Sequence, residues 1–174
     1  MAVYTEVSNE ELEEFLAQYD IGEVLSLKGI TEGIENSNFL LHTDRDLYIL
    51  TLYEKRVKPD ELPYFLDLMN HLHAKGISCP LPVPGKDGRA LRDLCGRKAC
   101  VSTFLKGMST RKIMPDHCAE LGRAMAQMHL AAEGFKGTRR NDLSVEGWEN
   151  LLEKIGKEAD NIAPDLYSEM KQEL

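Results

Sequence analysis

Several features that would define a class of protein are absent from this sequence. No apolar run is long enough to cross a membrane, and residues 1–6 lack the basic start and apolar core of a signal peptide. The four cysteines form no C-x-x-C pair, and no histidine lies at zinc-finger spacing. The net charge of −8 argues against a nucleic-acid surface, although a local basic pocket could still bind a small anion. These absences predict a cytoplasmic protein with reduced thiols that binds neither nucleic acid nor membrane.

The 174 residues are 43% hydrophobic and 29% charged, which is typical of a globular domain or two small lobes. A capping-box pattern, Ser8 with Glu11, begins a first predicted helix. Alternating apolar residues predict a three-stranded meander next, and Pro63 falls in the first turn of a second helix that Gly76 ends. A β-hairpin follows, and the pattern after Gly107 is helical only. Leu121, Met125 and Met128 share one side of the predicted helix 115–132, and the two methionines are predicted to be core. The predicted helices span about 9–19, 60–76, 115–132, 144–155 and 164–174, and the predicted strands span about 23–31, 36–43, 47–54, 89–94 and 98–104. We therefore expect a mixed α+β lobe over residues 1–105 and an all-α part over 106–174.

The segment between the first two predicted strands has the composition of an anion-binding loop. Gly33 can adopt backbone angles that other residues avoid, and Asn36, Ser37 and Asn38 suit a tight turn that directs donors inward. A hairpin tip rich in N–H donors can cover a phosphate. The same composition also fits a turn that merely connects two strands.

The series of motifs along the chain resembles the homoserine kinases of the aminoglycoside-phosphotransferase and choline-kinase superfamily. The resembling segments lie in order along the chain: 33–39, 48–56, 62–65, 76–80, 101–107, 121–129 and 139–141. The resemblance implies a protein-kinase-like α+β fold. Its small lobe would have a five-stranded antiparallel sheet with one packed helix, followed by the first helices of an incomplete α-helical large lobe. It also implies phosphoryl transfer from ATP with Mg²⁺ to the hydroxyl of L-homoserine, a step towards threonine.

The resemblance assigns nucleotide-binding roles to two segments and one strand position. The phosphate-covering loop is matched by Gly33, Ile34, Glu35, Asn36, Ser37, Asn38 and Phe39. The connector that meets the adenine is matched by Ser102, Thr103, Phe104 and Leu105. Thr51 stands where the superfamily commonly has a Lys or Arg that holds the phosphates, and the homoserine kinase branch accepts Thr there. Lys55 or Arg56 could supply the positive charge that Thr51 lacks, or both could equally be solvated residues at the end of the strand.

The family's catalytic loop, with the pattern His-x-Asp-x-x-x-x-Asn and a later metal-binding Asp, is absent from the 174 residues. We therefore expect the catalytic Asp and Asn and the Mg²⁺ ligands beyond Leu174, and no catalytic or metal residue within this chain. Arg139 and Arg140 could bind a substrate carboxylate bidentately or could pair with neighbouring carboxylates on a surface loop.

The sequence is compatible with three hypotheses of function. The first is the N-terminal part of a homoserine kinase, inactive by itself. The second, within the same class, is a kinase for another small hydroxylated substrate such as choline, methylthioribose or an aminoglycoside. The third is a catalytically inactive nucleotide-binding or interaction fragment.

Overall fold

The structure, a computed structural model, describes residues 3–54 and 58–174. Its helices are α1 (Asn9–Leu16), α2 (Leu62–Ala74), α3 (Pro115–Ala131), α4 (Val145–Ile155) and α5 (Leu166–Glu173). Its strands are β1 (Val24–Ile30), β2 (Ser37–Thr43), β3 (Leu47–Tyr53), β4 (Leu91–Leu94) and β5 (Arg97–Thr103). Short 3-10 helices at Pro59–Glu61 and Gly156–Asn161 precede α2 and follow α4.

The five strands form one antiparallel sheet in the order β1-β2-β3-β5-β4, which confirms the predicted sheet. Side chains alternate between its two faces, and residues paired across neighbouring strands share a face. Asn38 pairs with Thr51, and Leu40 pairs with Ile49, which in turn pairs with Ser102. These residues are only partly buried. We call the face that carries them the open face; its residues include Lys28, Ile30, Asn38, Leu40, Ile49, Thr51 and Ser102. Cys100, which pairs with Thr51, shares this face but is buried.

The opposite face, which we call the covered face, packs against α1. The capping box at the start of α1 forms as predicted, with the Glu11 amide donating to Ser8 Oγ and the Ser8 amide donating to the Glu11 carboxylate. The helix then buries its apolar side against the sheet. The resulting core consists of Leu12, Phe15, Leu16, Tyr19, Ile21, Phe39, Leu41, Leu50, Leu52, Leu94, Ala99 and Val101.

The helix α2 begins with Pro63 in its first turn and ends before Gly76, whose φ of +85° permits the reversal of the chain. The end of α3 is fastened to α2 by polar and aromatic contacts. His71 Nε2 lies 3.0 Å from the Ala131 carbonyl oxygen, and the Tyr64 ring packs edge-on against the Phe135 ring at 5.5 Å. Most of α3 is exposed, including the apolar side predicted to be core, with Leu121, Met125 and Met128 from 38% to 62% exposed.

The chain divides into two compact units, one ending at Gly137 and the other comprising Thr138–Leu174. In the second unit, the loop before α4 packs so closely on Gly147 that a Cβ there would lie 1.9 Å from the Asp142 carbonyl oxygen. Leu152 is buried, whereas Trp148 is 49% exposed beside an apolar groove between α4 and α5.

The sequence predicts a boundary at Leu105 between the small lobe and the large lobe of a kinase. That boundary stays a prediction. Among the described residues, the structure contains no helix with the length and apolar composition needed to cross a bilayer.

Candidate functional site

The loop between β1 and β2 lies at one end of the open face. Gly33 has a φ of +108°, an angle that side-chain-bearing residues rarely adopt, and a Cβ there would meet no atom within 4 Å. Backbone angle, rather than lack of space, is therefore what requires glycine at this position. The next residue, Ile34, is 73% exposed at the loop tip. Glu35 and Asn36 complete the turn, and the Asn36 side-chain oxygen accepts a bond from the Glu54 amide at 3.4 Å.

Asn38 and Thr51 form a hydrogen-bonded pair on the open face directly after this loop. Thr51 Oγ1 donates to Asn38 Oδ1 at 2.8 Å. The Asn38 carbonyl oxygen thus accepts the Thr51 hydroxyl, and the NH₂ group of the same amide is the part of that side chain that can donate to an anion. The pair thus offers a neutral donor on the open face; that Thr51 takes the place of a phosphate-binding cation stays a prediction.

Lys28 is a candidate site residue that the sequence analysis missed. A Cβ on its neighbour Gly29 would lie 2.9 Å from a methyl of Val3 and 4.0 Å from the Phe39 ring, so that Gly29 belongs to the covered face. Strand alternation places Lys28 on the open face, paired in register with Leu40. Ile30 pairs with Asn38, and Lys28 lies two residues before Ile30 on the same face of β1. Strand alternation alone would therefore have identified Lys28. Its side chain is exposed, and a lysine ammonium group is a suitable donor to a phosphate, so that Lys28 is a candidate phosphate ligand.

Replacing Lys28 with methionine is expected to weaken ATP binding about 3- to 10-fold, since a charged hydrogen-bond donor to phosphate is lost. Adenosine affinity should stay unchanged because that ligand lacks phosphates. Lys28→Arg should retain most of the ATP affinity, and Lys75→Met, at an exposed lysine just after α2, is the control. Calorimetric titration of both ligands checks this, and an equal loss for ATP and adenosine would contradict a phosphate contact.

The predicted adenine connector lies at the end of β5. The Thr103 amide donates to the Leu81 carbonyl at 2.9 Å, and the Phe104 amide donates to the Leu47 carbonyl at 3.3 Å. These two N–H groups are therefore already used in the sheet. In the part of the chain that the structure describes, the first following amide with no backbone partner is that of Leu105. Ser102 lies on the open face, beside Ile49. Binding of adenine by these four residues stays a prediction.

Two of the predicted loop residues have side chains on the covered face. Phe39 is 6% exposed and belongs to the core. Ser37 is fully buried; its Oγ accepts bonds from the amides of Tyr4 and Thr5 at 2.8 and 3.1 Å and donates to Glu54 Oε1 at 2.7 Å. Any contact of these two residues with a nucleotide would thus be made through the backbone. Their role in nucleotide binding stays a prediction.

Glu54 directly follows β3, and its carboxylate accepts hydrogen bonds from other residues besides Ser37. Thr5 Oγ1 donates to its Oε1 at 2.7 Å, and Arg97 Nε donates to its Oε2 at 2.9 Å. Burial acts to raise the pKa of Glu54, but the hydrogen bonds from Thr5, Ser37 and Arg97 outweigh it and hold the pKa below its usual value of 4.5. Glu54 is therefore an ionised carboxylate at neutral pH.

The remaining candidates lie elsewhere or outside the described residues. Arg140 Nη2 is 3.7 Å from Glu146 Oε2 in the unit 138–174, an exposed ion pair, and Arg139 also lies in that unit. Lys55 and Arg56 fall outside the described residues. Those residues contain no group of three His, Cys, Asp or Glu side chains arranged to hold a metal ion. Where Mg²⁺ would be held stays a prediction.

Burial also decides the chemistry of the Cys100 thiol on β5. Cys100 pairs in register with Thr51 and is 2% exposed. Desolvation raises the pKa of Cys100 to about 12. At neutral pH it is therefore a protonated thiol, which is a poor nucleophile.

Comparison with known proteins identifies homoserine kinases that are similar to this chain along its whole length. The chain is 60% identical over all 174 residues to a homoserine kinase of Paramagnetospirillum magneticum, of which it covers 53%, and 55% identical to one of Agrobacterium fabrum, of which it covers 54%. It thus spans about half the length of the curated relatives it matches. The resemblance inferred from the sequence motifs is confirmed.

Solved structures share the fold. A spectinomycin phosphotransferase in complex with ADP and spectinomycin superposes with a TM-score of 0.65 at 15% identity, over 87% of this chain and 47% of that one. A microcompartment-associated aminopropanol kinase gives a TM-score of 0.60 at 21% identity, over 83% and 49% of the two chains. The predicted kinase-like α+β fold is thereby confirmed. The model of the phosphotransferase enzyme family matches residues 26–173, and the chain belongs to that family.

Proposed function

We propose that this chain forms the nucleotide-covering part of a kinase that transfers the γ-phosphoryl group of ATP to the hydroxyl of L-homoserine. The observation that carries the proposal is the identity of 60% with a homoserine kinase along the whole of this chain. The open face of the sheet and its loop support the nucleotide half of the proposal. The acceptor rests mainly on the relatives, with additional support from two arginines, Arg139 and Arg140.

The groups of the open face suit the parts of ATP. Leu40 and Ile49 provide apolar surface for the base, and the Leu105 amide can donate to its edge. The backbone of the loop, the Asn38 NH₂ group and Lys28 provide donors for the phosphates. A magnesium ion bound to the phosphates would neutralise charge on the transferred group. The chain's own contribution is to bind and orient the nucleotide and to exclude water from its phosphates.

Arg139 and Arg140 support an amino-acid acceptor. A guanidinium group matches a carboxylate in two-point geometry, and L-homoserine carries a carboxylate that choline lacks. The exposed pair of Arg140 with Glu146 is long, at 3.7 Å, and a substrate carboxylate could replace it at small cost.

The direct test uses the protein as its gene encodes it. We expect ADP release that depends on both Mg²⁺ and L-homoserine, with O-phosphohomoserine identified by mass spectrometry. Choline, methylthioribose and an aminoglycoside are the competing acceptors, and preferential phosphorylation of one of them would reassign the substrate. Absence of transfer to all four would refute kinase activity.

A second candidate function, nucleotide binding without turnover, follows from one observation. The pattern His-x-Asp-x-x-x-x-Asn, which supplies the base and a metal ligand in the family, is absent from the 174 residues. We expect the 174-residue chain by itself to bind ATP and to release no ADP. Turnover by this chain alone would exclude the second candidate.

A further inference from the structure

We propose that residues Val3–Thr5, the N-terminal strap, hold the loop of residues 31–36 in its phosphate-covering position. The affinity for ATP then depends on a segment that itself touches no nucleotide. This inference rests on the proposed nucleotide site. It adds a positioning role that the resemblance did not imply and that no motif in the sequence signals.

The strap contacts the loop region at its start, its tip and its end. At the start, a Val3 methyl occupies the space into which a Cβ on Gly29 would project, at a distance of 2.9 Å. At the tip, Tyr4 Oη donates to the Ile34 carbonyl oxygen at 3.0 Å. At the end, the amides of Tyr4 and Thr5 both donate to Ser37 Oγ. The three contacts fix both ends of the loop and the exposed residue at its tip.

The strap is in turn anchored to the interior of the sheet through Glu54. Thr5 Oγ1 and Ser37 Oγ donate to the same carboxylate oxygen, each at 2.7 Å, and the Glu54 side chain is 9% exposed. Arg97, from β5, binds the other oxygen at 2.9 Å. Loss of one of these donors would leave a nearly buried, ionised carboxylate partly unsatisfied, which would lower the stability of the folded state. The strap therefore has one preferred position on the sheet, and its contacts with the loop give the loop one preferred position as well.

Glu54 also links the network directly to the loop. Its backbone amide donates to the Asn36 side chain, which lies in the last turn before β2. Ser37 is followed immediately by Asn38, whose side-chain NH₂ group is the proposed donor to the phosphates. A shift of the strap would consequently move the donors on both sides of Ser37. Groups that hold a site within a fraction of an ångström of its productive geometry commonly determine affinity without touching the ligand.

The test uses two strap variants in the protein as its gene encodes it, with ATP and adenosine as the probes. Tyr4→Phe removes only the hydroxyl that reaches Ile34, and Thr5→Val removes only the donor to Glu54. We expect each to weaken ATP binding about 3- to 10-fold and to change adenosine affinity by less than about twofold. Thr5→Ser, which keeps the hydroxyl, should restore ATP affinity.

The control is Tyr64→Phe, because Tyr64 belongs to α2 and its ring packs edge-on against Phe135, away from the strap. Wild-type ATP affinity in both Tyr4→Phe and Thr5→Val would overturn the strap proposal and leave the nucleotide site intact. Equal losses for ATP and adenosine would also overturn it, because they would indicate general loss of structure. A wild-type protein that binds neither ligand would refute the nucleotide site, and the strap proposal with it.

Discussion

Replacing Gly33 with valine is expected to weaken ATP binding about 10- to 100-fold. The φ of +108° at this position is strongly unfavourable for a β-branched residue, and strain of this kind costs about 1–3 kcal/mol. The loop can relieve the strain only by moving, and a moved loop no longer directs its amides at the phosphates. Because about 1.4 kcal/mol corresponds to a tenfold change in affinity, the expected 10- to 100-fold loss corresponds to about 1.4–2.8 kcal/mol, within that range of strain. Calorimetric titration with ATP measures it.

Gly88 offers a matched control for this experiment. Its φ is +83°, and a Cβ added there, as at Gly33, would meet no atom within 4 Å, but Gly88 lies in the turn before β4. Gly88→Val should therefore impose similar backbone strain and leave ATP affinity unchanged. If Gly33→Val binds ATP as the wild type does, the loop does not cover the phosphates.

Replacing Leu41 with alanine should lower the free energy of unfolding by about 2–5 kcal/mol. Leu41 is fully buried at the centre of β2, on the covered face, where the sheet packs against α1. The substitution removes buried methyl groups and leaves a cavity that the neighbouring strands cannot close. Urea denaturation of the full chain, followed by circular dichroism, measures the loss.

Leu25, on β1, is the control for that measurement. It is 59% exposed, so that Leu25→Ala should change the free energy of unfolding by no more than about 0.5 kcal/mol. Similar losses in the two variants would show that the covered face is not the core of the sheet.

Local patterns were sufficient to predict most of the fold. The predicted strands agree with β1–β5 to within two residues at each end, and the capping box of Ser8 and Glu11 formed as expected. The first helix ends at Leu16 rather than near Tyr19, although Tyr19 still packs into the core beyond the helix end. The apolar side of α3 was predicted to be buried and is exposed. Periodicity identifies the side of a helix that is apolar, but only tertiary structure determines what covers it.

The candidate site was less accessible to sequence reasoning. The positive φ of Gly33 and the position of Thr51 followed from local composition and from the motif series. The Ser37 side chain, expected to point inward from a turn, instead bonds to Tyr4 and Thr5, which lie 33 and 32 residues earlier in the chain. Contacts between segments so distant depend on the register and twist of the sheet, which no local pattern specifies. Lys28 was overlooked for the opposite reason, since simple strand alternation was enough to place it.

Amide hydrogen exchange with and without MgATP tests the central claim, that the open face and its loop bind nucleotide, most directly. We predict slower exchange in residues 31–38, in the middle of β3 and at Leu105, with no change in β4, which lies at the far edge of the sheet. Adenosine should protect the middle of β3 and Leu105 but not the loop. Protection confined to other segments, or no protection at saturating MgATP, would contradict the assignment of the site.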